Sequence, residues 1–228
     1  MSIALVVFDI AGTTVKDDNK IGEAFQATLE KFGYQVPLEQ INPFMGYEKN
    51  EAIREILKPF SNGSETIDDS LVSSIHRSFL GRMVRFYETT NDLEPLPHVE
   101  GTFEALRNSG IKIALNTGFS RNIADVILER LGWYERELVD FVVASDEVEQ
   151  GRPHPDMIRK LMAKAGVADP IEVAKVGDTE VDVNEGKNAG CRYVIGVTTG
   201  AYTREELEPY EPTHIIDDIQ NVVDIIQL

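Results

Sequence analysis

The chain is poor in several things, and each shortage narrows what it can be. It has one cysteine, Cys191, in 228 residues. An intrachain disulfide is therefore excluded, and a reducing cytoplasm is the expected compartment. The one tryptophan, Trp133, follows a helical pattern and is expected to pack into a core. Basic residues are scarce: 22 Lys and Arg stand against 39 Asp and Glu, a formal charge of −17. That balance argues against nucleic acid or an anionic membrane as partner. No apolar run approaches the ~18 residues of a membrane span. The apolar N-terminus is short, has no basic flank and ends in Asp9, so it reads as a strand and not as a signal peptide. His76, His98, His154 and His214 lie scattered without metal-ligand spacing, which predicts surface or loop positions. There is no internal repeat and no low-complexity tract.

What is present is ordinary for a soluble globular protein, with 42% hydrophobic and 27% charged residues. The length allows one sizeable core and a smaller appendage. An apolar run from Ile3 to Phe8 ends on Asp9 and breaks into Gly12-Thr13-Thr14. A buried strand cannot hold an unpaired carboxylate, so Asp9 must emerge at the strand's carboxyl end, where open α/β sheets bind ligands. Gly12 permits a tight turn, and the Thr13 and Thr14 hydroxyls with the loop N–H groups can hold an anion.

Five further runs read as strands: Ile111 to Thr117, Phe141 to Ser145, Val173 to Gly177, Tyr193 to Val197 and His214 to Ile216. Helical patterns separate most of them, among them Thr102 to Asn108, Ile123 to Leu131, Met157 to Ala165 and Asp182 to Asn188. This alternation predicts an α/β fold, a doubly wound parallel sheet with helices on both faces. Residues 17 to about 90 break it. Asp17-Asp18-Asn19 can cap a helix over Ile21 to Phe32, a second helix covers Glu48 to Leu57, and a third runs from Glu65 to Tyr87. Ile67, Leu71, Ile75, Phe79, Met83 and Phe86 form the stripe of that third helix.

Four loops at strand ends carry chemistry. Asp9-Ile10-Ala11-Gly12-Thr13 is followed by Asn116-Thr117-Gly118, Gly151-Arg152-Pro153 and Gly177-Asp178-Thr179-Glu180-Val181-Asp182. Their order and content resemble the haloacid dehalogenase (HAD) superfamily. Most phosphatases of that family carry a second aspartate, a general acid, two residues after the first; here that position is Ala11. Most members have lysine where this chain has Arg152. Both departures, with Met45-Gly46-Tyr47-Glu48-Lys49, resemble the phosphonatase-like branch, the relatives of phosphonoacetaldehyde hydrolase.

The resemblance implies a HAD Rossmann-like core over residues 1–16 and 91–228, and a helical cap over 17–90 inserted at hinges near Val15-Lys16-Asp17 and Leu93-Glu94-Pro95. It implies Asp9 as nucleophile, and Mg²⁺ held by Asp9, Asp178 and the Ala11 carbonyl, with Asp182 acting through water. Gly12, Thr13, Thr117, Gly118 and Arg152 would bind the phosphoryl group, and Met45 would line the substrate site. Lys49 would form an imine with a substrate carbonyl. Independently of the resemblance, Lys49, Ile53, Ile56 and Phe60 share one helical face, so the lysine lies on an apolar stripe in a first turn. Desolvation and the helix N-terminus both favour the neutral amine there.

The implied activity is cleavage of the C–P bond of a 2-oxoalkylphosphonate. The rivals are a phosphatase for a small monoester such as phosphoglycolate, and a non-catalytic module that binds phosphate ligands. The family has a histidine where this chain has Ala52, and a tyrosine where it has Phe119, which leaves the side group of the substrate open. Arg54 and Arg121 could reach an anion, though a solvated face is the better expectation for each. The partner is a small phosphonate or phosphate, and a homodimer is compatible with all of this.

Overall fold

The computed structural model describes residues 2–60 and 67–227 of the chain. In chain order its elements begin with β1 (Leu5–Phe8), α1 (Lys20–Lys31), α2 (Leu38–Ile41), α3 (Lys49–Leu57) and α4 (Asp69–Thr89). They continue with α5 (Val99–Asn108), β2 (Lys112–Thr117), α6 (Arg121–Arg130), β3 (Phe141–Ala144), α7 (Asp156–Ala165) and β4 (Val173–Gly177). The chain closes with α8 (Glu180–Ala189), β5 (Tyr193–Val197), α9 (Arg204–Leu207), β6 (His214–Ile216) and α10 (Asn221–Gln227). The strands form one six-stranded sheet in the order β3-β2-β1-β4-β5-β6, with every pairing parallel.

This is a doubly wound sheet, and its order reverses beside β1. Phe8 stands opposite Leu115 on one side and Val176 on the other, so β1, β2 and β4 finish at the same edge. The loops after β1 and β4 diverge to opposite faces and leave a crevice between them. Alternate side chains of β1 feed two cores. Val6 and Phe8 pack with Phe103, Leu106 and Trp133 on one face, and Leu5 and Val7 pack with Met157, Ile158 and Leu161 on the other. Trp133 is fully buried there, its indole N–H donating to Glu100 at 2.7 Å.

Between β1 and α5 the described residues carry helices and no strand. The buried seam of α4 is Val72, Ile75, Phe79, Met83 and Tyr87. It shares Ile75, Phe79 and Met83 with the predicted stripe, but the ends differ, because the face that meets α1 and α3 drifts around a helix this long. Its predicted start at Glu65 lies outside the described residues. Phe79 meets Phe25 of α1 with ring centroids 4.7 Å apart. The predicted cap of α1 is corrected in detail: Asn19 occupies the N-cap without a side-chain bond, while Asp17 Oδ1 accepts from the Ile21 N–H at 3.1 Å. His76 is also corrected, since it sits half-buried on α4 and not in a loop. No helix among the described residues is long and apolar enough to cross a membrane.

Candidate active site

A cavity of about 410 Å³ opens between the strand ends and the helices that follow β1. Its walls include Asp9, Ala11, Gly12, Met45, Lys49, Thr117, Gly118, Arg152, Asp178 and Asp182. Residues spread from 9 to 182 thus converge in one place. Thr13 is the exception. It lies fully buried behind the wall, and its hydroxyl donates to Asp178 Oδ1 at 3.0 Å. Arg152 reaches in from the loop that joins β3 to α7.

Asp9 follows Phe8 directly and is 6% exposed. Burial raises its pKa, and the Arg152 guanidinium, which donates to Asp9 Oδ1, works against that rise. Asp178 is more strongly affected. Burial first, then repulsion from Asp9 and Asp182, holds its carboxyl well above the usual range. Asp178 Oδ2 accepts from the Ala201 N–H at 2.7 Å, so it ties the Gly12-Thr13 loop to the loop after β5. The space is tight: a Cβ on Gly12, whose φ is 83°, would stand 2.6 Å from Asp178 Oδ2. Only glycine meets both the backbone angle and that approach.

Behind the wall is a charge network that the motif spacing does not mark. Arg152 donates to Asp9 and to Asp182 Oδ1, and also to the Asn116 carbonyl at 3.2 Å. Lys175 on β4 reaches Asp182 Oδ1 at 2.9 Å, Glu185 Oε2 at 3.3 Å and Asn116 Oδ1 at 2.6 Å. Both oxygens of Glu185 on α8 also accept from Asn116 Nδ2 at 2.8 Å. Burial opposes the Asp182 anion, but Arg152 and Lys175 outweigh it and hold that carboxyl below its ordinary value. A lysine inside an otherwise apolar buried strand cannot stand without partners, and that was the signal for this network in the sequence. The Thr199-Gly200-Ala201 loop, also in the wall, could have been found from its place after a strand end.

Lys49 is the first residue of α3 and 2% exposed. Its ammonium donates to the Met45 carbonyl at 2.6 Å and the Tyr47 carbonyl at 3.0 Å, and sits 5.7 Å from the centre of the Phe119 ring. Burial first, then repulsion from Arg152, pulls its pKa down to about 8. The Met-Gly pair is pressed onto the sheet edge. A Cβ on Gly46 would meet Thr179 Oγ1 at 2.4 Å, and one on Gly118 would meet the Tyr47 carbonyl at 2.9 Å. The Tyr47 hydroxyl donates to Glu180 Oε1 at 2.6 Å.

The other candidates lie elsewhere. Arg54 pairs with Asp69 at the surface, and Arg121 pairs with Asp125 at 2.7 Å. His98 pairs with Asp218, while His154 and His214 are exposed. The Thr117 hydroxyl, at the cavity wall, accepts from the Phe119 N–H at 3.1 Å.

A parallel sheet in this order, with a buried carboxylate at the end of β1 and an acidic loop after β4, defines a class, and comparison agrees. Residues 6–196 match the haloacid dehalogenase-like hydrolase family, and the chain belongs to it. It is 34% identical over 222 residues to a bifunctional phosphonoacetaldehyde hydrolase/aminoethylphosphonate transaminase of Clostridioides difficile, covering 90% of this chain and 34% of that longer protein. It is 31% identical to the phosphonoacetaldehyde hydrolase of Bacillus mycoides, over 97% of this chain and 87% of that one. The fold superposes on a phosphonoacetaldehyde hydrolase-like protein of Oleispira antarctica with a TM-score of 0.84, at 22% identity, covering 100% of this chain and 92% of that one. The protein is a hydrolase of the HAD superfamily.

Proposed function

We propose that this enzyme cleaves the C–P bond of a 2-oxoalkylphosphonate, with Asp9 as nucleophile and Lys49 as imine-forming amine. The observation that carries the proposal is a buried lysine with its pKa drawn down to about 8, in the same cavity as a strand-end aspartate that has no acid two residues on. Residues 17–90 serve as the cap that brings Lys49 over a core formed by the rest of the chain.

The Lys49 amine adds to the substrate carbonyl and expels water, giving a protonated imine. Asp9 attacks phosphorus, the P–C bond breaks, and its electron pair moves into the imine to give an enamine. A carbanion needs that electron sink, whereas a leaving alkoxide needs a proton; Ala11 fits the first case. Arg152 neutralises phosphoryl oxygens with a planar fork of donors. The enamine carbon then takes a proton from water to regenerate an imine, and water hydrolyses that imine and the aspartyl phosphate.

The donor set fits Mg²⁺. Among the described residues no three His, Cys, Asp or Glu side chains group closely enough to hold an ion by themselves. Asp182 is turned to Arg152, Lys175 and Thr179, which suits contact through water. Asp9, Asp178 and the Ala11 carbonyl would therefore hold the ion, in keeping with the few carboxylates and retained waters that Mg²⁺ accepts. When bound it supplies positive charge to the phosphoryl group and relieves the repulsion between the two carboxylates.

Borohydride added with a reactive 2-oxoalkylphosphonate should inactivate the enzyme irreversibly, and peptide mass mapping should find the reduced adduct on Lys49. Lys49→Arg keeps the charge but cannot form the imine, so it should lose C–P cleavage by several orders of magnitude. Substantial cleavage by that variant would reduce Lys49 to an anion holder.

A further inference from the structure

The chemistry given above uses Asp9, Lys49 and Arg152 and leaves a deeper carboxylate unexplained. Glu185 is fully buried on α8, one helical turn after Asp182. We propose that Glu185 is a positioning residue for Arg152: when a phosphoryl group engages Asp9, Glu185 draws the guanidinium off the nucleophile and accepts a hydrogen bond from Arg152 Nε. The proposal rests on the reading of Asp9 and Arg152 as the phosphoryl site, and it holds alike for a phosphonate and a phosphate ester.

An unmade bond is the first ground. A guanidinium carries N–H donors on three nitrogens. Arg152 Nη1 donates to Asp182 Oδ1, and Nη2 donates to Asp9 Oδ1 and the Asn116 carbonyl. Nε is buried and has no hydrogen-bond partner. Among the described residues it is the one such atom on a charged group, where an unmade bond costs most. Glu185 Oε2 stands 3.9 Å from it, about 1 Å too far for a hydrogen bond. The carboxylate has room for that donor. It accepts from Asn116 Nδ2 and faces Lys175 at 3.3 Å, while a carboxylate offers about four acceptor sites.

The second ground is where the opposing charges stand. Asp9 follows β1, while Asp182 and Glu185 lie three residues apart on α8 and share one face of it. The guanidinium is thus suspended between the nucleophile and two helix carboxylates. Its bond to Asp9 occupies an oxygen that must attack phosphorus, so the nucleophile works only when Arg152 lets go. Attack converts the Asp9 carboxylate into an acyl phosphate, whose charge sits on the phosphoryl oxygens. The pull from β1 is then lost, and the pull from α8 remains, because the reaction leaves Asp182 and Glu185 unaltered. Lys175 and Asn116 fix Glu185 in place, so it is the arginine that moves. An Nε–H bond to Glu185 then anchors one corner of the fork while the Nη groups turn to the phosphoryl oxygens.

The test reads the NMR cross-peak of the Arg152 Nε–H, assigned by its loss in Arg152→Lys. Orthovanadate with Mg²⁺ is the probe, because it mimics a phosphoryl group whatever the substrate's side group. In the free enzyme the Nε–H should resonate as an unbonded group, and saturating orthovanadate should move it downfield, as a bond to a carboxylate does. Asp9→Ala removes the pull from β1 without any ligand and should produce the same displacement. In Glu185→Gln the vanadate-induced displacement should be lost, and vanadate should bind about tenfold more weakly, as expected for one hydrogen bond to a charged group. Glu185→Asp keeps the charge and should restore part of both. A merely structural Glu185 would lower the unfolding midpoint of Glu185→Gln while leaving displacement and affinity at wild-type values, and that result overturns the proposal. So does an Nε–H that stays in place in Asp9→Ala, an arm that keeps Glu185 intact and decides even where Glu185→Gln does not fold. If orthovanadate fails to bind with Mg²⁺ present, the phosphoryl-site reading fails by itself, and Asp9→Ala still decides whether Arg152 moves to Glu185.

Discussion

At the scale of single residues, the proposed chemistry rests on two positions. Ala11 lines the cavity two residues after Asp9, where an acid would protonate a leaving alkoxide. Restoring it tests the substrate class. Ala11→Asp should lower phosphonate turnover, because a third carboxylate crowds Asp9 and Asp178, and should raise activity on simple phosphate esters. A wild-type enzyme that already hydrolyses such esters at ordinary rates and spares phosphonates would reverse the assignment. Lys49 is the other position, and its burial has a cost that can be measured. In the unfolded chain the amine keeps its proton up to about 10.5, and in the folded one only to about 8. Between those values the unfolded chain binds more protons, so stability climbs with pH, and the penalty is complete below 8. Lys49→Met should therefore stabilise the protein by about 3 kcal/mol at neutral pH, a gain that fades as pH approaches the unfolded value. Urea unfolding on either side of that window reads it directly; an unchanged difference across pH would mean the lysine stays charged.

At the scale of elements, α3 matters through the segment that precedes it. Gly46 lies on Thr179 and Val181, and Gly118 lies beneath the Gly46 and Tyr47 carbonyls, so two glycines let the helical segment touch the sheet edge. The Tyr47–Glu180 bond fastens this contact, and the Tyr47 carbonyl on the same residue holds the Lys49 ammonium. Tyr47→Phe removes the fastening without removing the ring. The rate of borohydride trapping should fall by about tenfold, since a bond to a charged acceptor contributes ~1.5–3 kcal/mol and this one is only partly buried. The unfolding midpoint should shift little. A large loss of stability with an unchanged trapping rate would show the bond to be structural only. The strands tell a parallel story. The edges of the sheet and most helices were legible from periodicity, and boundaries moved by only a few residues. The partners of Lys175 were not, because Asp182 and Glu185 lie on the next helix and Asn116 on another strand.

At the scale of the whole molecule, the charge of −17 and the proposed anionic substrate pull against each other. The local answer is a buried set of cations, joined in the proposed function by a metal. Because burial and the neighbouring Asp9 and Asp182 charges hold the Asp178 carboxyl well above its usual range, Mg²⁺ should stabilise the folded protein as well as activate it. At a hundredfold excess over its Kd the expected gain is about 2.7 kcal/mol. Differential scanning calorimetry with EDTA and with added Mg²⁺ checks this, and turnover should follow the same titration. An unfolding temperature indifferent to Mg²⁺ would remove Asp9 and Asp178 as its ligands.

What the sequence determined by itself was local. The alternation of strands and helices, the strand-end position of Asp9, the acidic loop and the buried face of Lys49 are set by periodicity and by the cost of burying a charge. Those rules act over a few residues and can be read from a few residues. Tertiary structure decided the rest: which cations neutralise which carboxylates, and that Thr13 turns away to Asp178. Each depends on side chains distant in the chain meeting in a low-dielectric interior, where a charge is stable only if the fold brings its partner, and no local pattern records that partner.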